Sequence, residues 1–134
     1  MNYLYFDIEC CDGYHMCSFG YVITDENFNV LDKKDIVINP QHEFKLGCDK
    51  FNPRISLAYL ESTFQKQKSF KYFYNEIKDL LTRPNQILLG HSITADMQYL
   101  KIACERYKLP ILNLEAYDTQ NFYYQWNKKY KIQG

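Results

Sequence analysis

The stretch Asn2-Tyr3-Leu4-Tyr5-Phe6-Asp7-Ile8-Glu9 is aromatic and β-branched and holds no turn residue. It predicts a strand buried on at least one face and central in its sheet. Working outward, Ser18-Phe19-Gly20-Tyr21-Val22-Ile23-Thr24 reads as a second strand, followed by the turn-rich Asp25-Glu26-Asn27. Val30-Leu31 and Ile36-Val37-Ile38 then form a third, ending at Asn39-Pro40. The short connections permit hairpin pairing, so the N-terminal part is an antiparallel meander.

Beyond Pro40 the pattern changes. Residues 41 to 54 are irregular, and Ile55 to Lys66 is a helix candidate with Leu60 and Phe64 one turn apart. Ser69 is placed as an N-cap, after which Phe70, Phe73, Tyr74, Ile77, Leu80 and Leu81 follow helical spacing up to Arg83-Pro84-Asn85. Gln86 to Gly90 reads as a strand, Ala95 to Tyr107 as a helix, Leu114 to Tyr117 as a last short strand, and Thr119 as the cap of a helix through Trp126. The expected fold is α/β: a mixed sheet with a three-strand meander, then alternating helices and strands, flanked by helices.

A chain of 134 residues has the size of one domain, able to bury roughly two-thirds of its unfolded surface. With 46% hydrophobic and 24% charged residues, it is a folded globular chain rather than a disordered or fibrous one. Sixteen Lys plus Arg balance sixteen Asp plus Glu, so any anionic partner must be met by a local patch, not by an overall field. The longest apolar run is too short for a membrane span, and the start lacks a signal-peptide pattern, so no membrane partner and a cytoplasmic location are expected. Five cysteines, an odd number, point to reduced thiols rather than a disulfide framework. Cys10, Cys11, His15 and Cys17 are zinc-ligand types, but the adjacent pair and the lack of a C-x-x-C knuckle do not match structural zinc spacings. The 13 Tyr and 9 Phe are read mainly as an aromatic core. Lys66, Lys68 and Lys71 interleave with Phe70, Tyr72 and Tyr74, a possible strip for single-stranded nucleic acid; the preferred reading places the aromatics at 70, 73 and 74 in the core and the lysines in solvent.

Asp7 and Glu9 end the first strand on the same face, with Cα atoms roughly 6 to 7 Å apart. Like charges this close raise each other's pKa unless a cation lies between them, and an all-oxygen site suits magnesium or manganese. Taken alone, D-x-E is short, and two solvated carboxylates at a sheet edge is the more economical reading. The second segment, Gly90-His91-Ser92-Ile93-Thr94-Ala95-Asp96, runs from a strand through a polar turn into a helix, the position where open α/β sheets place their sites. Asp96 also satisfies the helix dipole there without any ligand.

Tyr5-Phe6-Asp7-Ile8-Glu9, Gly90-His91-Ser92-Ile93-Thr94-Ala95-Asp96-Met97-Gln98-Tyr99-Leu100 and Tyr117-Asp118-Thr119 resemble, in order, the motifs of the DEDD 3′ to 5′ exonucleases. This is the ribonuclease H-like group that includes the proofreading epsilon subunit of bacterial DNA polymerase III. The resemblance implies that Asp7, Glu9 and Asp96 are catalytic and metal-binding, holding two Mg²⁺ or Mn²⁺ ions that generate hydroxide and stabilise the leaving 3′ oxygen. It implies a hydrolase releasing nucleoside monophosphates from single-stranded DNA or RNA 3′ ends, with a polymerase or other protein as a partner. Cys10 and Cys11, through their backbone amides, and His91 are the expected substrate contacts, and Asp118 is a structural residue. Ser92 stands where an Asn is common in the family.

The family's third motif, which brings a His or Tyr and a fourth aspartate, has no counterpart: after Asp118 the sequence holds neither an acidic residue nor a histidine. The Y-x-x-x-D match of Tyr21 and Asp25 sits in a strand and its turn and is read as chance. Residues 1–134 are therefore expected to be a single exonuclease-like domain, incomplete at its C-terminus and weak as a catalyst. The alternative is a noncatalytic module of the same fold that binds nucleic-acid ends or a protein partner.

Overall fold

In the computed structural model, residues 1–44 and 59–121 are described. Five strands form one mixed sheet: β1 (Asn2–Cys10), β2 (Met16–Thr24), β3 (Val30–Val37), β4 (Gln86–Gly90) and β5 (Ala116–Asp118), in spatial order β3-β2-β1-β4-β5. β1 is central, antiparallel to β2 and parallel to β4. The helices are α1 (Glu61–Gln65), α2 (Phe70–Leu81) and α3 (Ile93–Arg106), the last serving as the crossover between the parallel strands β4 and β5.

Alternation along β1 divides the molecule. Leu4, Phe6, Ile8 and Cys10 are buried and join Phe19, Tyr21 and Ile36 of the neighbouring strands in the core. The period-3.6 stripe of α2 (Phe70, Tyr74, Ile77, Leu80, Leu81) and Ile93, Leu100, Ala103 and Cys104 of α3 close over that same face. Burying side chains of this size is worth about 1.5–3 kcal/mol each, which makes this layer the main stabilising element. The odd residues Tyr3, Tyr5, Asp7 and Glu9 face the other way, where Val37 at the end of β3 packs in the cluster of Phe64 from α1.

Several boundaries differ from the sequence reading. β3 ends at Val37 rather than Ile38, and between its apolar ends Lys33, Lys34 and Asp35 continue the antiparallel ladder with β2 while remaining exposed. α3 begins two residues earlier than its apolar period suggests, and β5 lies one to two residues later. Ser69 does sit at the N-cap of α2 with extended φ and ψ, but its hydroxyl makes no capping bond. Of the helix expected from Ile55 to Lys66, residues 55–58 lie outside the described part; Glu61–Gln65 is helical, with Phe64 buried and Leu60 exposed. Of the helix expected through Trp126, only residues 119–121 fall inside it, and these are helical. Phe70 and Tyr74 are core and Tyr72 is exposed with Lys68 over its ring, the preferred reading of the basic-aromatic strip.

Candidate active site

The end of β4 sets the geometry. A Cβ on Gly90 would lie 2.5 Å from Ile93 Cδ1 and 3.2 Å from the Phe6 carbonyl oxygen, so a side chain there would displace Ile93 and crowd β1 where the start of α3 approaches it. The turn that follows puts Ser92 in the left-handed region, φ 56°, and leaves the first amides of α3 without a local side-chain cap. Asp118, at the end of β5, supplies it from outside: Oδ1 accepts from Ser92 N at 3.0 Å and Oδ2 from Ile93 N at 3.1 Å, while Gln120 N also donates to Oδ1 at 2.9 Å. These bonds hold the Asp118 carboxyl below the usual range despite some burial. An anion at a helix N-terminus is stabilised by the macrodipole as well. Asp118 is thus occupied in positioning α3.

One turn into α3 stands Asp96, 4% exposed. The β1–β4 pairing stops at Tyr5 and Leu89, so the last residues of β1 have no ladder partner on that side. The Ile8 amide instead donates to Asp96 Oδ1 at 3.0 Å. Burial pushes the Asp96 carboxyl up to about 6; the Ile8 bond opposes this, and the charges of Asp7 and Asp118 add to it. The amide that anchors Asp96 lies between Asp7 and Glu9 in the chain, and the charge of Asp7 reaches Asp96.

On the open face of the sheet, Asp7 is exposed and Glu9 half-buried. Glu9 is raised, first by burial and then by Asp7 and Asp35, with a hydrogen bond from Ser18 pulling the other way. Asp35 was missed in the sequence reading, which followed only the apolar residues of the third strand. Gly20 pairs with Asp7 on one side and with Asp35 on the other, and a Cβ there would be 3.6 Å from Asp35 Oδ1. Glycine therefore opens a hollow of about 190 Å³ shared by Asp7, Glu9, Ser18 and Asp35. The signal was available: pairing through the turn at residues 25–29 brings Asp35 opposite Gly20. Asp35 beside it pushes the Tyr59 hydroxyl above its usual range. No salt bridge reaches Asp7, Glu9, Asp35 or Asp96 among the described residues.

Asp7 also lines a groove of about 700 Å³ that continues along the open face past Tyr5, Val22, Lys33 and Asp35 to His91 and Thr119. His91 is exposed, its Nδ1 3.4 Å from Thr119 Oγ1. The two cysteines are placed differently. Cys10 points into the core on the opposite face, and Cys11 is fully buried, its amide already donating to the His15 carbonyl at 2.9 Å. That bond takes the Cys11 amide away from the substrate-contact role expected for it. Burial raises both thiols to about 12, so neither is a nucleophile. No disulfide links the described cysteines, and no described helix is long and apolar enough to cross a membrane.

No protein-family model matches the chain, and no curated protein does. Solved structures do. An exonuclease I structure superposes with a TM-score of 0.76 at 16% identity, covering 94% of this chain and 30% of that one. E. coli exonuclease I in complex with a dA16 oligonucleotide gives 0.73 at 16% identity, covering 90% and 28%. The nuclease domain of 3′hExo, a DEDDh family member bound to rAMP, also gives 0.73 at 16% identity, covering 98% and 72%. The mixed five-stranded sheet with its helices is therefore the ribonuclease H-like fold of these 3′ to 5′ exonucleases. The chain spans less than a third of the length of exonuclease I.

Proposed function

We propose that this chain is a divalent-metal-dependent 3′ to 5′ exonuclease domain, residues 1–134, with Asp7, Glu9 and Asp96 as its metal-binding and catalytic carboxylates. The observation that supports the reading is the hydrogen bond to Asp96 from the amide of Ile8, the residue between Asp7 and Glu9. Their donor chemistry fits hard cations. All three donors are carboxylate oxygens with no salt bridge to them among the described residues, and the upward shifts of Glu9 and Asp96, caused first by burial and then by neighbouring carboxylates, are what a bound Mg²⁺ or Mn²⁺ would oppose. When bound, such ions supply an activated water and stabilise the leaving oxygen.

The chain's own residues do the rest. Asp7, the exposed one of the three proposed ligands, addresses the groove, Glu9 and Asp35 line the hollow beside it, and the Asp118 cap keeps α3, and so Asp96, in place. Lys33, on the same face two residues before Asp35, is positioned to meet a backbone phosphate, and Tyr5 offers a ring to a base. His91 contacts the terminal nucleotide from the opposite wall. A single-stranded 3′ end of DNA or RNA fits a groove open along its length.

Digestion of 5′-labelled single-stranded DNA and RNA with Mn²⁺, Mg²⁺ or EDTA tests this, with Asp7→Ala prepared alongside. A metal-dependent ladder shortening from the 3′ end, absent in EDTA and in the variant, is expected. Metal-independent oligonucleotide binding without cleavage, unchanged when the three carboxylates are replaced, would instead identify a noncatalytic end-binding module.

A further inference from the structure

The connection between β1 and β2 and the segment after β3 together carry a second cluster of ligand-type side chains, none of which lines the groove or the acidic hollow. Cys11, Asp12 and His42 come from segments thirty residues apart in sequence, yet a sulfur, a carboxylate oxygen and an imidazole nitrogen from these three all lie within 4.8 Å of one another. We propose that Cys11 Sγ, Asp12 Oδ2 and His42 bind a borderline-soft divalent ion, Zn²⁺, at a site separate from the acidic groove and independent of its nuclease reading.

The donor set selects the metal. A thiolate, an imidazole and one carboxylate are zinc ligands, whereas magnesium and manganese prefer oxygen alone. The geometry is close to what the ion needs: His42 Nδ1 is 3.4 Å from Asp12 Oδ2, and tetrahedral zinc arms of about 2.0–2.1 Å hold nitrogen and oxygen about 3.3–3.4 Å apart.

The second histidine does not complete the ligand set. His15 and His42 stack with ring centroids 3.8 Å apart and planes 16° from parallel, so their in-plane lone pairs cannot converge on one ion. His15 instead braces Asp12: its Nδ1 lies 2.6 Å from Oδ2, and its own amide and that of Tyr14 donate to Oδ1 at 2.7 and 2.9 Å. A ligating carboxylate held by outer hydrogen bonds and a ring fixed by stacking are what orient a metal site. The Cys11 thiol lies 3.6 Å and His42 Nδ1 3.1 Å from the Glu43 carbonyl oxygen. Zinc takes Cys11 as the thiolate, and its proton passes to solvent. The spacing Cys10, Cys11, His15, Cys17 concealed this site, because the third ligand comes from the segment after β3.

Cobalt(II) replaces zinc in such sites and reports thiolate ligation as a near-ultraviolet charge-transfer band, which oxygen ligands do not give. Titration of the whole chain with Co²⁺, then competition with Zn²⁺ and metal analysis after dialysis, should show that band, its loss to zinc, and one zinc per chain. Cys11→Ser should abolish the band, and His42→Ala, at a partly exposed side chain that leaves the core intact, should weaken binding by more than the His15→Phe change. His15→Phe keeps the stacked ring but removes the bond to Asp12, and should weaken binding roughly 10- to 100-fold. Asp7→Ala and Cys17→Ser should leave the band unchanged. Absence of the band, its survival in Cys11→Ser, or its insensitivity to His42→Ala each overturns the proposal, whatever the nuclease assay gives.

Discussion

Replacing Asp96 by Asn separates the electrostatic cost of the acidic site from its packing. The Asn carbonyl can still accept from the Ile8 amide at 3.0 Å, and the side chain keeps its size, so what is lost is a buried negative charge beside Asp7 and Asp118. Burial is the main cause of a rise from 3.8 to about 6 in the folded protein. A carboxyl with a raised folded pKa binds more protons folded than unfolded between those two values. Stability is therefore complete below pH 4 and falls as pH rises toward 6. The full cost above that range is about 3 kcal/mol, and Asp96→Asn should recover it. For a domain of this size that corresponds to roughly 10 °C in Tm. Thermal unfolding followed by circular dichroism in EDTA should show the variant more stable at pH 7.5 and indistinguishable from the parent near pH 4. Added Mg²⁺ should narrow the gap by stabilising only the parent. A difference that is independent of pH, or a variant no more stable at pH 7.5, would refute the claim that Asp96 is held ionised against its surroundings.

Asp118→Ala should lower Tm and accelerate hydrogen exchange at the Ser92 and Ile93 amides specifically, since these are the groups its carboxylate caps; unchanged exchange there would remove it from its positioning role. Gly90→Ala should destabilise by about 1–3 kcal/mol in urea unfolding, because Ile93 and the Phe6 carbonyl occupy the space of the added methyl. Gly20→Ala, whose Cβ would meet Asp35 only at ordinary contact distance, should preserve the fold while narrowing the acidic hollow, so its Tm should change little and its metal-dependent cleavage should fall. Equal cleavage by Gly20→Ala would show that the hollow is not used.

Local pattern carried much of this molecule. The alternation through Leu4, Phe6 and Ile8 and the period of Phe70 to Leu81 are repeated statements about which face is buried, and they specify β1 and α2 without help from the rest of the chain. The same alternation put Asp7 and Glu9 together, because their spacing is fixed by the strand itself. Where an element is exposed, the pattern fades: Lys33, Lys34 and Asp35 carry no apolar signal and are held in the strand by the hydrogen-bonding edge of β2, so the apolar pattern did not point to Asp35.

What tertiary structure alone decided are the meetings of distant residues. Asp35 reaches Asp7 through the register of two hairpins, in which a one-residue slip would turn it to the other face. Asp96 finds the Ile8 amide because β4 stops short of the end of β1, and Asp118 caps α3 because β5 returns parallel to β4. His42 reaches Cys11 and Asp12 only after β3 has run its length. Sequence fixes the period of each element through side-chain sterics and burial, but strand order, register and the ends of pairings are collective properties of the folded sheet. The chemistry of this protein is assembled at those ends.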